Sequence, residues 1–226
     1  METTKNNNPF DQYNNISLEE LEQSITLQPK KVSELLTENF FINSHQRSYR
    51  WGKNQVEDLL NDINKFVPQE CNGVRTWHRL QPLVVKEMDE TSKTECGLEM
   101  DKTWYEVIDG QQQLITLYLI IHYVNEMWLP NRYKTPEPLI HCESYINIAQ
   151  YLSELKVGED SNTVEINNEN IDYSHISSAY ETIHNWASKL DDCSCYYDFI
   201  TKFTRHTGMV WCKIALDNNN IDKNKL

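Results

Sequence analysis

The sequence has no apolar run that is long enough to cross a membrane. Its longest apolar segment, from Leu114 to Val124, is interrupted by Thr, His and Tyr, whereas a spanning helix needs about 20 apolar residues. The N-terminal stretch METTKNNNPFDQYNN contains none of the apolar core that characterises a signal peptide. We therefore expect a soluble, cytoplasmic protein that has no membrane partner.

The sequence also lacks the cysteine and histidine spacings of a metal site. None of its 6 cysteines belongs to a Cys-x-x-Cys pair, and the Cys-x-Cys of Cys193 and Cys195 has no second ligand pair. No His-Asn-His nuclease signature is found. These spacings predict separate, reduced thiols. Four scattered histidines are expected to be structural or exposed: His141, His175, His184 and His206.

Positive charge is scarce. The chain has 21 Lys and Arg against 34 Asp and Glu, which gives a formal net charge of -13 and a pI of about 4.9. Because an acidic surface repels phosphate backbones, direct DNA binding by this chain alone is not expected, although a local basic patch is compatible with the net charge. Hydrophobic residues make up 39% and aromatic residues 11% of the chain, so a real core can form.

The 226 residues suffice for one large domain or for a core domain with a smaller extension. Residues 1–15 are rich in Asn and are expected to be disordered. Three prolines, Pro130, Pro136 and Pro138, mark a junction. We therefore expect a core domain over residues 16–130. A helical extension over 131–226 should follow and end in a strand.

Hydrophobic periodicity predicts an α+β fold, with a small mixed sheet and helices packed around it. The strands are predicted at Leu83–Val85, at Trp104–Ile108 and at Met209–Leu216. Residues 87–102 are charged and are expected to form a long turn or lid, and residues 156–170 a surface loop. A helix with a break at Pro29 is predicted over residues 17–40, and a second helix is predicted to begin at a capping box formed by Asn54 and Glu57. Further helices are predicted over 112–128, 144–155, 176–190 and 196–205.

The segment 46-QRSYRW-51 precedes the helix that begins near Asn54. Arg47 offers a planar fork that suits phosphate or carboxylate, and Gln46 can both donate and accept hydrogen bonds. Tyr49 and Trp51 could stack on a base. The alternative is a loop that two aromatic side chains anchor to the core, with its arginines in solvent.

The segment 107-VIDGQQQLITLYLI-120 passes from a strand into a helix at Asp109 and Gly110. Backbone N–H groups at a helix start favour an anion. Asp109 could hold a metal or a water, and Gln111 and Gln112 could bind phosphate oxygens or base edges. The alternative is that Asp109 caps the helix and the glutamines are solvated. The segment is not a Walker A loop, because it lacks Gly-Lys-Ser/Thr.

Together these motifs resemble the DUF262 family, the N-terminal domain of GmrSD-type restriction proteins, which is related in fold to ParB and sulfiredoxin. The family has Tyr-Gln-Arg-x-Tyr-x-Trp, then a helix with Asp-Leu-Leu-x-Asp-Ile, then Ile-Asp-Gly-Gln-Gln-Arg-Leu-Thr-Thr. The resemblance is specific between about residues 40 and 125. The matching residues are Gln46, Arg47, Tyr49, Trp51, Asp58, Leu59, Leu60, Asp62, Ile63, Ile108, Asp109, Gly110, Gln111, Gln112, Leu114 and Thr116.

The resemblance implies a nucleotide-binding and NTP-hydrolysing domain of a bacterial restriction or phage-defence system. It implies Mg²⁺ with a nucleoside triphosphate, and a nuclease partner subunit or C-terminal nuclease half. Arg47 and Asp109 would be catalytic, and Asp109 would be the metal ligand. The nucleotide-binding residues would be Gln46, Arg47, Tyr49, Gly110, Gln111, Gln112 and Thr116.

The chain departs from the family pattern at several positions. The family arginine after Gly-Gln-Gln is Gln113, which removes a positive charge from the implied phosphate site, and the first Thr of Thr-Thr is Ile115. Longer family members continue beyond the point that corresponds to Leu226, so the chain is expected to be truncated relative to them. Three interpretations stay open: a nucleotide-binding domain, a non-catalytic interaction or regulatory module, and a ParB-like DNA-binding or nuclease domain, which the net charge disfavours.

Overall fold

The computed structural model describes residues 25–143, 148, 150, 151, 171–190 and 192–215. These residues form an α+β fold in which helices pack on a mixed sheet of seven strands. The predicted fold class is therefore confirmed at the level of a mixed sheet with packed helices. The predicted ParB/sulfiredoxin type of the sheet stays a prediction. None of the described helices is long and apolar enough to cross a membrane.

The elements are numbered along the chain. The strands are β1 (Ile25–Lys31), β2 (Asn39–Ile42), β3 (Glu70–Cys71), β4 (Val74–Arg75), β5 (His78–Arg79), β6 (Leu83–Glu87), β7 (Trp104–Asp109), β8 (Leu139–Cys142) and β9 (Thr207–Ile214). The helices are α1 (Val32–Leu35), α2 (Lys53–Lys65), α3 (Glu90–Glu95), α4 (Gln111–Tyr123), α5 (Ile171–Ala187) and α6 (Cys193–Arg205). A π-helical turn, Val124–Trp128, extends α4, and a 3-10 turn follows at Asn131–Tyr133.

The main sheet has the strand order β1-β9-β6-β7-β2-β8, and β5 pairs with the first residues of β9. Antiparallel pairs join β1 to β9 and β6 to β7, whereas the pairs β9-β6, β7-β2 and β2-β8 are parallel. A separate hairpin is formed by β3 and β4. The last strand of the described residues, β9, thus lies inside the sheet, between two strands from before residue 130.

Strand β1 corrects the helix that was predicted over residues 17–40. Residues 17–24 lie outside the described part of the chain, but residues 25–31 pair in register with β9 along their whole length. Pro29 is tolerated because β1 is an edge strand, where a missing N–H costs no ladder hydrogen bond. The pairing with β9 is a tertiary contact that the local apolar spacing cannot reveal. Within the described residues 25–40, only the four residues of α1 keep the predicted helical state.

Helix α2 confirms the predicted helix and its apolar stripe, but its start differs from the prediction. The N-cap is Gly52 rather than Asn54, and the backbone N–H of Gly52 donates to Oε1 of Gln55 at 3.0 Å. Gln55 therefore accepts the capping-box hydrogen bond that was predicted for Glu57. The four apolar residues of the stripe are all buried: Val56, Leu59, Leu60 and Ile63.

Helix α4 is the central element of the core. It confirms the predicted helix, but it is buried on all sides rather than along one stripe, since every residue from Gln113 to Ile121 is buried. Helix α5 packs against it, and the Tyr123 hydroxyl lies 3.3 Å from Nδ1 of His184 on α5. A helix that is enclosed in this way is held firmly at its start, which is where the candidate site lies.

The C-terminal part confirms several predicted elements. The helix predicted from Ile176 is α5. The helix predicted from Tyr196 is α6, whose N-cap is Asp192. The Asp192 side chain accepts hydrogen bonds from the backbone N–H groups of Ser194 and Cys195. The predicted final strand is β9. The predicted loop over 156–170 and most of the predicted helix over 144–155 lie outside the described residues, as do residues 1–15. The segment predicted as a long turn over 87–102 contains the short helix α3.

Candidate functional site

The candidate site begins where β7 passes into α4. Gly110 is the N-cap of α4 and has a φ of 92°. This left-handed conformation is unfavourable for residues that carry a Cβ atom. A Cβ at this position would lie 2.9 Å from Cδ1 of Leu83 and 3.0 Å from the carbonyl oxygen of Pro82. The turn therefore requires glycine, both for its backbone angle and for its close approach to β6.

Asp109 does not cap α4. Its Oδ1 accepts a hydrogen bond from the backbone N–H of Gly110 at 2.8 Å, and the side chain is exposed. No side chain at the N-cap accepts from the first N–H groups of the helix, which also lack intrahelical acceptors. The start of α4 thus keeps its donors and its positive dipole end for another partner.

The segment 46–51 folds over this helix start, and the glutamines of α4 hold it there. Nε2 of Gln111 donates to the carbonyl oxygen of Arg47 at 2.7 Å. Nε2 of Gln112 donates to the carbonyl oxygen of Ser48 at 3.1 Å, while its Oε1 accepts from the backbone N–H of Arg50 at 2.7 Å. Gln46 completes the contact, because its Nε2 donates to the carbonyl oxygen of Val107. We name residues 46–51 the clamped loop.

A buried pair of hydroxyls anchors the clamped loop to the core. Thr116 Oγ1 donates to the carbonyl oxygen of Gln112 at 2.9 Å, so the Tyr49 hydroxyl, 2.9 Å from Thr116 Oγ1, is the donor in their contact. Burial raises the pKa of Tyr49 well above its usual range, and the hydrogen bond to Thr116 opposes this only in part. The phenol therefore stays protonated and acts as an anchor.

A cleft of about 320 Å³ opens beside the clamped loop and the start of α4. Its charged groups are the exposed side chains of Arg47 and Asp109, and among the described residues they form no ion pair with each other or with a third group. The lining consists of Gln46, Arg47, Trp51, Gln81, Ile108, Asp109, Gly110, Gln111, Gln112 and Gln113.

Gln113 is the most unusual residue of the cleft. Its side chain is 5% exposed, and its Oε1 is buried without a hydrogen-bond partner in the described part of the chain. Buried side-chain oxygens are nearly always paired, and leaving one unpaired costs free energy. Gln113 is one of the residues that line the cleft, but its oxygen has almost no accessible surface, so a bound molecule would reach it only after the side chain turns toward the cleft.

The structure brings together most of the residues that the two motifs single out. Gln46, Arg47, Asp109, Gly110, Gln111 and Gln112 all line the cleft. Tyr49 and Thr116 do not line it, because their hydroxyls face each other behind the clamped loop. Tyr49 instead borders a small cavity of about 20 Å³ beneath that loop, roughly the space that one water needs. Gln113 also lines the cleft, and the sequence identified it only as a departure from the family pattern. Gln81, just before β6, lines the cleft as well.

No group of three or more His, Cys, Asp or Glu within the described residues could hold a metal ion by itself. The cleft offers one carboxylate, Asp109, with one oxygen bonded to Gly110. Mg²⁺ commonly takes one or two carboxylates together with substrate phosphates and waters. The donor set therefore fits Mg²⁺ only when a phosphate-bearing molecule supplies further ligands, and the ion would neutralise phosphate charge there.

The fold and the cleft define a class: an α+β domain with a polar site where a strand of a mixed sheet passes into a helix that is buried from Gln113 to Ile121. The family model described as the GmrSD restriction endonuclease, N-terminal domain, matches residues 30–225. The chain belongs to this family and is thus a restriction-associated domain. The match extends across the prolines at 130–138 and includes β9. No curated protein matches the chain significantly.

Proposed function

We propose that the cleft binds a nucleoside triphosphate and that the chain is the nucleotide-binding domain of a restriction or phage-defence system. One observation carries the proposal: the same cleft is lined by a guanidinium and a helix start that have no side-chain partner among the described residues, and by Gln113, whose buried oxygen also has none there. The first two are complementary to an anion. The third is complementary to a hydrogen-bond donor. A nucleotide presents both kinds of group.

Arg47 and the start of α4 would bind the phosphates. The Arg47 side chain is exposed at the mouth of the cleft, and its fork can donate two parallel hydrogen bonds to phosphate oxygens. The carbonyl oxygens of Arg47 and Ser48 are bonded to Gln111 and Gln112. These bonds fix the backbone that carries the guanidinium, so less conformational entropy is lost when the ligand binds.

Gln113 would bind the nucleoside part. Once the side chain turns toward the cleft, its Oε1, which is buried without a partner among the described residues, would accept from a ribose hydroxyl or from an exocyclic amino group. A bound donor would remove the cost of leaving this oxygen unpaired, so the contact would add to affinity more than an exposed hydrogen bond does. Gln81 and Trp51 also line the cleft and could contact the ligand.

The family assignment implies a nuclease partner, since the matched domain is the N-terminal domain of a restriction endonuclease. We propose that nucleotide binding in this chain controls a nuclease subunit or domain. Asp109 would hold Mg²⁺ with the phosphates, or orient water. Cleavage of DNA itself would belong to the partner.

Thermal shift assays with each of the four NTPs and Mg²⁺ test the proposal. A bound ligand raises the melting temperature in proportion to RT ln(1 + [L]/Kd). Arg47→Ala should abolish the shift and leave the melting temperature of the free protein unchanged, because the Arg47 side chain has no partner within the described residues. Arg132→Ala is the control, since Arg132 is exposed and does not line the cleft. No shift with any nucleotide, or an equal loss in both variants, would refute the proposal.

A second candidate function is a regulatory module that binds a nucleotide without hydrolysing it. The hydrogen bonds that two glutamines already make within the protein favour this function. The side-chain amides of Gln111 and Gln112 are already bonded to the clamped loop. Asp109 is then the one carboxylate that could activate water in the cleft. A hydrolysis assay with the four NTPs separates the two functions. Binding without phosphate release would establish the module, and phosphate release that Asp109→Asn abolishes would establish the NTPase.

A further inference from the structure

A second groove, of about 770 Å³, shares no lining residue with the cleft. It lies between the end of β1, the start of α1, the β3-β4 hairpin and the end of α6. In the antiparallel pair of β1 and β9, Lys31 lies beside Gly208 at the end near the groove, and Ile25 lies beside Ile214 at the opposite end. The groove is therefore remote from the ends of the described chain at 25 and 215.

The groove concentrates positive charge in an acidic chain. Lys31, Arg75 and Arg205 are exposed in it, and none of them forms an ion pair with a described residue. Among the described residues that line the groove, Glu34 is the one acid, and its Oε2 accepts from the backbone N–H of Lys31 at 2.6 Å. Three cations from three separate elements thus line one groove, and none of them is ion-paired to a residue in the described part of the chain.

His206 reports on how close these charges are. Its pKa is lowered, first by partial burial and then by the positive charges of Arg75, Lys31 and Arg205. All three cations therefore lie close enough to His206, which also lines the groove, to disfavour its protonation. The backbone beneath them is fixed, since the His206 carbonyl oxygen accepts from the backbone N–H of His78 at 2.6 Å.

The hairpin that carries Arg75 is closed at its base by two hydrogen bonds between its flanking residues. The backbone N–H of Gln69 donates to Oγ1 of Thr76 at 2.8 Å, and the backbone N–H of Thr76 donates to the carbonyl oxygen of Gln69 at 2.8 Å. Next to it, Trp77 lines the groove with a half-buried indole, and the Arg79 guanidinium lies 5.3 Å from its ring centroid. The groove therefore combines cations with an aromatic ring.

We propose that this groove binds the phosphodiester backbone of single-stranded nucleic acid, with Lys31, Arg75 and Arg205 on the phosphates and Trp77 beneath a base. Unpaired cations beside an aromatic platform are the combination that single-strand sites use. A duplex keeps its bases stacked and could not use the indole, and an acidic peptide has no base to stack. Because the net charge is -13, the acidic surface outside the groove disfavours phosphates, and the phosphate contacts within the groove make the affinity sensitive to salt. The proposal is independent of nucleotide binding in the cleft.

The test is fluorescence anisotropy of a labelled oligothymidylate against the full chain over a salt series. Each phosphate neutralised on a single strand contributes about -0.7 to the slope of log K against log salt. The triple variant Lys31→Gln, Arg75→Gln, Arg205→Gln should bind more weakly and lose about 2 from the slope. Trp77→Leu should weaken binding about tenfold and leave the slope unchanged.

A control variant changes the net charge equally at three exposed cations outside the groove: Lys53→Gln, Arg132→Gln, Lys189→Gln. It should keep the slope of the unaltered chain. Equal losses in both triple variants, no binding at low salt, or equal binding of polyglutamate would overturn the proposal. If the groove triple variant melts differently, Arg205→Gln alone replaces it, with an expected loss of about 0.7 from the slope.

Discussion

The buried oxygen of Gln113 has opposite consequences for folding and for binding. In the free protein this oxygen is an acceptor without a partner among the described residues, on a residue that is 5% exposed. A donor group of the ligand would give it a partner. Residues that bind ligands often carry such a cost, because the group needed for binding cannot be paired within the protein. Stability and affinity should therefore respond to substitution at this position with different signs.

Gln113→Met tests this at the residue scale. Methionine has a similar length and removes the unpaired oxygen, so the free energy of unfolding should rise by about 1 kcal/mol and the melting temperature by about 3 °C. The nucleotide-induced shift should become smaller. Differential scanning calorimetry with and without nucleotide measures both effects. A less stable Met variant would mean that the Gln113 oxygen is paired in solution.

Gln113→Arg restores the arginine that the family pattern has at this position. The longer side chain would extend from the buried start of α4 into the cleft, where it would add a positive charge to that of Arg47. Arginine cannot accept the hydrogen bond proposed for the Gln113 oxygen, but a charged hydrogen bond to phosphate is stronger than the neutral one it replaces, so we expect binding to become tighter by about tenfold, as measured by isothermal titration calorimetry. An unchanged affinity would place the phosphates away from the start of α4 and would weaken the role proposed for that helix.

At the scale of elements, the clamped loop and α4 form one unit because the side chain of Gln112 bonds to the loop through both of its polar atoms. Gln112→Ala removes the acceptor of the Arg50 backbone N–H. The loss of about 1 kcal/mol should speed hydrogen exchange of that amide about fivefold. The backbone N–H of Thr135, which donates to Oδ1 of Asn125 at 2.8 Å, is an internal control and should be unaffected. Equal exchange at Arg50 in both proteins would contradict the clamp.

Gly110→Ala tests the junction of β7 and α4. A Cβ would meet Leu83 and the Pro82 carbonyl oxygen at 3.0 Å or less, and the φ of 92° would be strained for alanine. We expect a loss of roughly 2 kcal/mol in the free energy of unfolding, seen in urea denaturation. Gly97→Ala is the matched control: its φ of 66° is also positive, but a Cβ there would contact nothing within 4 Å. Its loss should be smaller.

The sequence predicted those elements whose burial follows from their own residues. The stripe of α2, the enclosed α4 and the strand at Leu83 bury apolar groups at local spacing, so periodicity reveals them. The edge strands β1 and β8 are largely exposed, and their strand conformation depends on distant partners. For the same reason the motifs indicated the segments of the site but not the hydrogen bonds of Gln112, which join residues more than sixty positions apart.

At the scale of the whole molecule, the sheet joins the two ends of the described chain. Strand β9 lies between β1 and β6, and its Trp211 is fully buried, with ring centroids 6.1 Å from Phe40 and 4.9 Å from Tyr105. Gly208 fits this pairing closely, since a Cβ there would lie 2.4 Å from the Lys30 carbonyl oxygen. The expected core domain, residues 16–130, thus shares its sheet with a strand from the expected extension.

This arrangement predicts that a fragment of residues 16–130 does not fold by itself. Without β9, the strand β1 has no partner and β6 has an open edge, and Phe40 and Tyr105 lose the ring of Trp211. Thermal unfolding of the fragment, followed by circular dichroism, should show no cooperative transition. In the full chain, Trp211→Ala should cost about 3–5 kcal/mol yet keep a cooperative transition. A fragment that melts cooperatively would establish residues 16–130 as an independent domain and would make β9 an accessory strand.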